Sequence, residues 1–347
     1  MKKTQVALAA LALVASSAAL ADGVTVSGIM DFGFGHTTDK GTYAENGAWA
    51  DHSSITFSGA EDLGGGLKAG FNLEAGFNQN GNRDNGGQGN LFSRQANLYL
   101  TSAELGTVTV GQILSPFILA QALTNQGVGN FWVNRAIMAG PVGQNLDGIG
   151  TSPAAFFIGD AIQYTTPTIA GWQAMALTSA KTGEATDGAG GLPAAESSNR
   201  YTSLAVNGNI AGVNLWAATQ NRSTQYTSWT VGGGYQLTPE LNVSANYVSN
   251  KIKDTDEKTN SVAVGLTYKV APAVSLVAQY AAQTKNDATG EKAKLYNLAA
   301  KYDLSKRTAT YITYTRGSNG IGSSMADRGA AQEGNNNTIA VGLMHSF

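Results

Sequence analysis

Cysteine is absent from this 347-residue chain, so neither disulfides nor thiolate-bound metals hold the fold together. Histidine is almost as scarce: His36, His52 and His345 are the three in the sequence. None stands in an H-E-x-x-H run and no G-x-S-x-G elbow accompanies them, so hydrolytic chemistry has no support. An excess of one charge is also lacking. The 22 Lys and Arg offset 24 Asp and Glu to a net charge of −2, which argues against the basic footprint of a nucleic-acid binder. Past residue 21 the chain has no run of about 18 apolar residues, the length a membrane-spanning helix needs. Asp254, Asp256 and Glu257 lack the spacing and glycine of an EF-hand loop. Gly232-Gly233-Gly234 lacks the Lys-Ser/Thr that completes a phosphate loop. No cofactor, metal or catalytic residue is expected. Proline is low at 7 and glycine high at 43, a balance that suits many strands joined by turns.

What the sequence does contain is alternation. In residues 338–347, Ile339, Val341, Leu343, His345 and Phe347 fall on one face, and Ala340, Gly342, Met344 and Ser346 on the other. Side chains of a strand alternate between faces, so this stretch has one large apolar face and one small or polar face. A chain ending on such a strand gains most where that strand must pair with the first, as in a closed barrel. Near the start, Val24, Val26, Met30, Phe32 and Phe34 oppose Thr25, Ser27, Ile29, Asp31 and Gly33. Ile55 and Phe57 oppose Ser54, Thr56 and Ser58. Leu67, Ala69, Phe71, Leu73, Ala75 and Phe77 oppose Lys68, Gly70, Asn72, Glu74, Gly76 and Asn78. An apolar face opposite a charged one over a dozen residues is what a wall between lipid and water requires.

The leader fits that destination. Lys2 and Lys3 precede an apolar stretch at residues 6–15, and Ala19-Leu20-Ala21 is an A-x-A cleavage site. Residues 1–21 read as a signal peptide for export through the periplasm, and residues 22–347 as one barrel domain. Short connections (166–171, 237–240, 270–273 and 305–307) alternate with long polar ones (79–91, 180–198, 251–259, 282–293 and 316–334). Short turns at one end and long loops at the other match a transmembrane barrel, and the count is an even sixteen antiparallel strands. Tyr164, Tyr235, Tyr268 and Tyr302 each precede a short turn and are placed as an interfacial aromatic girdle. Residues 37–50 read as a polar loop. One connection breaks the rhythm. From residue 111 alternation does not return until about Asp160. That stretch is apolar, carries a helical piece at residues 115–122 with Pro116 in its first turn, and is expected to fold into the lumen.

Several short stretches, in order and spacing, resemble the trimeric general-diffusion porins of the Gram-negative outer membrane. They are residues 53–74 around Gly59-Ala60-Glu61-Asp62-Leu63-Gly64-Gly65-Gly66-Leu67-Lys68, then Ser93-Arg94-Gln95-Ala96, residues 105–111, 160–167, 304–308 and 342–347. The resemblance implies an all-β, sixteen-stranded outer-membrane barrel and a homotrimer. It also implies a third loop folded inward, contact with outer-membrane lipid and lipopolysaccharide, and passive passage of small solutes and ions. Phe347 takes the family's terminal position, with a role in barrel closure and assembly. Arg94 stands where the family has a wall arginine of the eyelet. Ser54 and Ile29 occupy positions that are commonly basic, and Phe157 falls near a third. Asp31, Lys68 and Glu74 join them on the pore-lining face. Residues 105–146 contain no acid, and Arg135 is their one charge. Arg94 and Arg135 are therefore expected to dominate the constriction and to give a weak anion preference. Gln112 shares a face with Val108 and Val110 and is placed outward, at a subunit contact. Two other readings remain: a dedicated channel for weakly charged or partly apolar solutes, and a barrel serving as surface structure or adhesin.

Overall fold

A computed structural model describes residues 22–38, 41–46, 52–78, 91–124, 157–180, 185–186, 200–223, 225–287, 290, 292–318 and 335–347. The strands are β1 (Asp22–Thr37), β2 (Gly41–Asn46), β3 (Ser53–Gly64), β4 (Leu67–Phe77), β5 (Gln95–Ser102), β6 (Gly106–Leu114), β7 (Phe157–Thr165), β8 (Trp172–Ser179) and β9 (Ala185–Thr186). They continue as β10 (Tyr201–Ile210), β11 (Val213–Arg222), β12 (Tyr226–Gln236), β13 (Leu241–Ile252), β14 (Lys258–Ala271), β15 (Val274–Asn286), β16 (Lys294–Asp303), β17 (Thr308–Ser318) and β18 (Asn335–Ser346). Among the described residues one helix, α1 (Pro116–Thr124), follows β6. Every pairing is antiparallel, and β1 closes on β18 from Ile29↔Ser346 to Thr37↔Thr338. Of the eighteen strands, β2 and β3 share one edge of β1, and β8 and β9 share one edge of β7. Sixteen wall positions result, and the barrel has no free edge to satisfy in lipid.

The faces follow the sequence pattern. Val341 and Leu343 are about half exposed, whereas Thr338 and Ala340 are buried at 3%, so the large apolar set points to lipid. The tyrosines before short turns, Tyr164, Tyr235, Tyr268 and Tyr302, are all exposed on that outer face. Their rings form the girdle expected where chain meets headgroups. At the seam, Phe347 extends the ladder one residue past β18. Its N–H donates to Gly28 O at 3.1 Å, and Gly28 N–H donates to Phe347 O at 3.1 Å. The Phe347 ring lies against Gly28, where a Cβ would collide with it. On the inner side Tyr311 covers Gly342 in the same manner.

Two local readings change. Residues 41–46 are strand, not loop. Thr37 Oγ1 donates to Tyr43 Oη at 3.1 Å and His36 Nδ1 lies 3.0 Å from Thr42 Oγ1, so cross-strand polar pairs hold a segment that lacks apolar alternation. Strand β7 begins at Phe157 and not near Asp160. Phe157 and Ile158 are both buried, so this end of the strand has two apolar faces and no alternation to read.

Helix α1 carries the third connection into the barrel, as expected. Phe117, Ile118 and Ala120 pack with Met175, Ala205, Trp216, Ala218 and Val248 from the inner wall. Burying a Phe or Ile side chain contributes about 1.5–3 kcal/mol. Ser115 caps the helix: its Oγ accepts from Phe117 N–H at 3.2 Å, and that N–H also donates to Ser203 Oγ at 3.1 Å.

Candidate functional site

The lumen gathers side chains from strands far apart in sequence. Strands β4 and β5 meet in the register Glu74↔Gln95, which fixes Glu74 beside Arg94. Arg94 Nε donates to Glu74 Oε1 at 2.7 Å, and Gln95 Nε2 donates to Glu74 Oε2 at 2.9 Å. His52 Nε2 lies 3.7 Å from Glu74 Oε1. A second tier continues the network. Asn97 Nδ2 donates to Gln95 Oε1 at 3.4 Å, and Asn72 Nδ2 to Asn97 Oδ1 at 3.2 Å. The Arg94 guanidinium stacks over the Phe157 ring, 4.7 Å from its centroid, a cation–π contact. Phe157 belongs to the same apolar cluster as Phe117 of α1. The wall arginine is thus braced on three sides, by a carboxylate, by an aromatic face and by the backbone that carries it.

That backbone is held by Gln112. Its Nε2 donates to Ser93 O at 2.7 Å and to Arg94 O at 3.1 Å. Gly111 precedes it at φ +123° with a bulge in the β6–β7 ladder. An added Cβ there would collide with Ala96 O, so only glycine permits this kink. Gln112 pairs with Ala96 on the outward face, as its position predicts, and it acts as a clamp on the segment bearing Arg94.

The other expected pore residues divide. Ile29 and Ser54 face each other in the β1–β3 register on the inner side. Neither is basic, so these two wall positions carry no cation. Lys68 is exposed beside the turn at Gly65-Gly66, near the short-turn rim. It lies six residues along β4 from Glu74, about 20 Å of strand, so it lines the mouth and not the narrow region. Asp31 is fully buried and its Oδ1 accepts from Tyr311 Oη at 2.5 Å. It braces β1 to β17 across the closing strand and is not a free lumen charge. Arg135 lies outside the described residues. Arg94, expected to dominate the constriction, has Glu74 as its ion-pair partner.

Sequence reasoning missed two groups. Tyr201 Oη lies 2.5 Å from Ser115 Oγ and donates to Gln220 Oε1 at 2.8 Å, tying the root of α1 to β10 and β11. Arg222, on the same inner face, is 6% exposed. The alternation Trp216, Ala218, Gln220, Arg222 would have placed it inward, although Ala218 gives that pattern little contrast. Among the described residues no group of three or more His, Asp or Glu could hold a metal.

A closed antiparallel barrel with an apolar outer band, an aromatic girdle, a polar inner wall and a helix folded within defines a transmembrane channel protein. The chain belongs to the Gram-negative porin family, whose pattern matches residues 7–322. It is an outer-membrane porin, a channel for passive diffusion. Its fold is similar to that of an anion-selective porin from Comamonas acidovorans, with a TM-score of 0.71 at 23% identity over 94% of this chain and 99% of that one. It is also similar to the trimer form of OmpT from Vibrio cholerae, with a TM-score of 0.67 at 13% identity over 94% and 99% of the two chains. Salmonella typhi OmpF gives a TM-score of 0.67 at 15% identity over 93% and 97%. Comparison with curated proteins yields no match.

Proposed function

We propose that this porin is a general-diffusion channel of weak charge selectivity, leaning toward anions. It passes small hydrophilic solutes and ions without chemistry. The observation that carries this reading is the 2.7 Å pair between Arg94 and Glu74. It cancels the main wall charge expected at the eyelet, while residues 105–146 supply no acid to set against it. A transverse field needs separated opposite charges, and a contact pair cannot supply one. The anion-selective Comamonas neighbour supports the direction of the residual preference. Residues 1–21 act as a cleaved export signal, and the mature chain assembles as a homotrimer embedded in outer-membrane lipid and lipopolysaccharide. The trimer form among the structural neighbours supports that assembly.

The test is liposome swelling with neutral sugars of graded size, followed by reversal potentials under a salt gradient. Size-dependent swelling with a small, anion-leaning reversal potential is expected. Uptake of one solute at a rate far above others of its size would replace this reading with a dedicated channel. Unheated gel mobility at the monomer position, with monomer mass by light scattering, would remove the trimer.

A further inference from the structure

Resting on that channel reading, we infer that His52 is a proton switch on the charge preference of the lumen: neutral, it leaves the pore weakly selective, and protonated, it turns the pore further toward anions. His52 stands one residue before β3 and shares the inward parity of Ser54. Its Nε2 lies 3.7 Å from Glu74 Oε1, the same oxygen that accepts from Arg94 Nε at 2.7 Å. The imidazole is 22% exposed, so lumen water can deliver and remove its proton. The other two histidines in the sequence are placed elsewhere. His36 and His345 are exposed on the outward rows of β1 and β18, in line with Phe34 and Leu343. There His36 Nδ1 lies 3.0 Å from Thr42 Oγ1, and His345 Nδ1 lies 2.9 Å from Thr308 Oγ1.

Histidine is the side chain whose ordinary titration changes its charge between pH 5 and 8, and the chain has no cysteine. Among the described residues the charged groups that face His52 are Glu74 of β4 and Arg94, which leads into β5. Asp31 belongs to β1, the strand paired with β3, and its carboxylate is turned to Tyr311 instead. With His52 neutral, the cluster is a carboxylate–guanidinium contact of zero net charge. With His52 protonated, the cluster carries one net positive charge. The imidazolium also competes with Arg94 for Glu74 Oε1, and a guanidinium that shares its counter-charge regains influence on a passing ion. Both effects have one sign. As pH falls through the histidine range, the lumen wall gains attraction for anions and repulsion for cations. A guanidinium stays charged throughout that range, so Arg94 alone cannot respond to it.

The experiment uses the full-length chain refolded into planar bilayers under a potassium chloride gradient, with the reversal potential read from pH 8 to pH 5. Heat-modified gel mobility confirms that each variant is folded. In the parent the anion-to-cation permeability ratio is expected to rise about threefold as pH falls across that range. His52→Gln should abolish the step, and His52→Lys should hold the parent's acid preference at every pH. The double variant His36→Gln, His345→Gln should keep the step. A folded, conducting His52→Gln that keeps it, or a parent whose reversal potential stays level from pH 8 to pH 5, would overturn the inference and leave the channel reading intact. Absence of conductance in the parent would overturn the channel reading itself. If His52→Gln does not fold, His52→Lys decides: a persisting step overturns the inference, and a level, anion-leaning potential supports it. If neither folds, the double variant decides, because loss of its step would assign the response to the outer histidines.

Discussion

Two arginines on the inner wall of this barrel occupy opposite electrostatic situations. Arg94 has a carboxylate at 2.7 Å, an aromatic face at 4.7 Å and a clamped backbone. Arg222 is more buried, flanked by two tyrosines, and lacks a carboxylate among the described residues. The sequence offers both as the same residue type, one just before β5 and one at the end of β11. The difference teaches that a pore's selectivity follows its uncompensated charges and not its charge count. In a region of restricted water, two unit charges at 4 Å interact by about 4 kcal/mol at an effective dielectric constant of 20. One well-placed counter-ion therefore removes most of an arginine's influence on a passing ion.

The largest expected effect erases both sides together. Phe347→Ala removes the ring that covers Gly28 beside the last two hydrogen bonds of the closing ladder. Outer-membrane accumulation of folded protein should fall several-fold, while the few channels formed conduct near normally. Normal accumulation would show that the seam closes without the ring. Next come the two halves of the braced pair. Glu74→Gln releases Arg94 and should raise anion preference, whereas Arg94→Gln removes the wall cation and should move the reversal potential toward cations. Breaking a buried pair from one side costs about 3–5 kcal/mol; the lumen and the Gln95 contact should hold the loss nearer the lower end. Shifts of the same sign in the two variants would refute the pairing.

A smaller change sharpens the other side. Tyr201→Phe deletes the hydroxyl shared with Ser115 and Gln220, two bonds worth about 1 kcal/mol each. Hydrogen exchange in residues 116–124 should quicken by roughly tenfold, with the reversal potential little changed because no charge is removed. Unaltered exchange would mean that the apolar contacts of Phe117 and Ile118 alone hold α1. The smallest effect belongs to the rim. Asp256 is fully exposed, and its carboxyl is held below the usual carboxylate range first by the hydrogen bond from Lys251 and then by that lysine's charge. A depressed acid stabilises above its unfolded pKa and loses that contribution as pH falls through the folded value. Any effect of Lys251→Met is therefore present at neutral pH and vanishes in acid well below about pH 4, and for so exposed a pair it is small. At neutral pH the variant should lose no more thermal resistance than an exposed ion pair supplies and keep the parent's reversal potential, and a clear change in that potential would give rim charges a part in sorting.

Alternation with a period of two was enough to read the wall. The outward rows of β4 and β18, the tyrosine girdle, the inward α1 and the sixteen-strand count all come from side-chain spacing, which is local and survives in the linear chain. The expectation failed where the period vanished. At Phe157-Ile158 both faces are apolar, and residues 41–46 pair through hydroxyls, so neither stretch carries a period-two signal. The lumen chemistry lay further out of reach. Glu74 and Arg94 are twenty residues apart, and their contact depends on the register that follows a long connection, which no local pattern specifies. The same holds for Asp31 and Tyr311, 280 residues apart, which become neighbours only because the barrel closes. Sequence alone determined which residues face water and which face lipid. Tertiary structure decided which charges meet, because Coulomb energy depends on distances of a few ångströms across strands and register sets those distances.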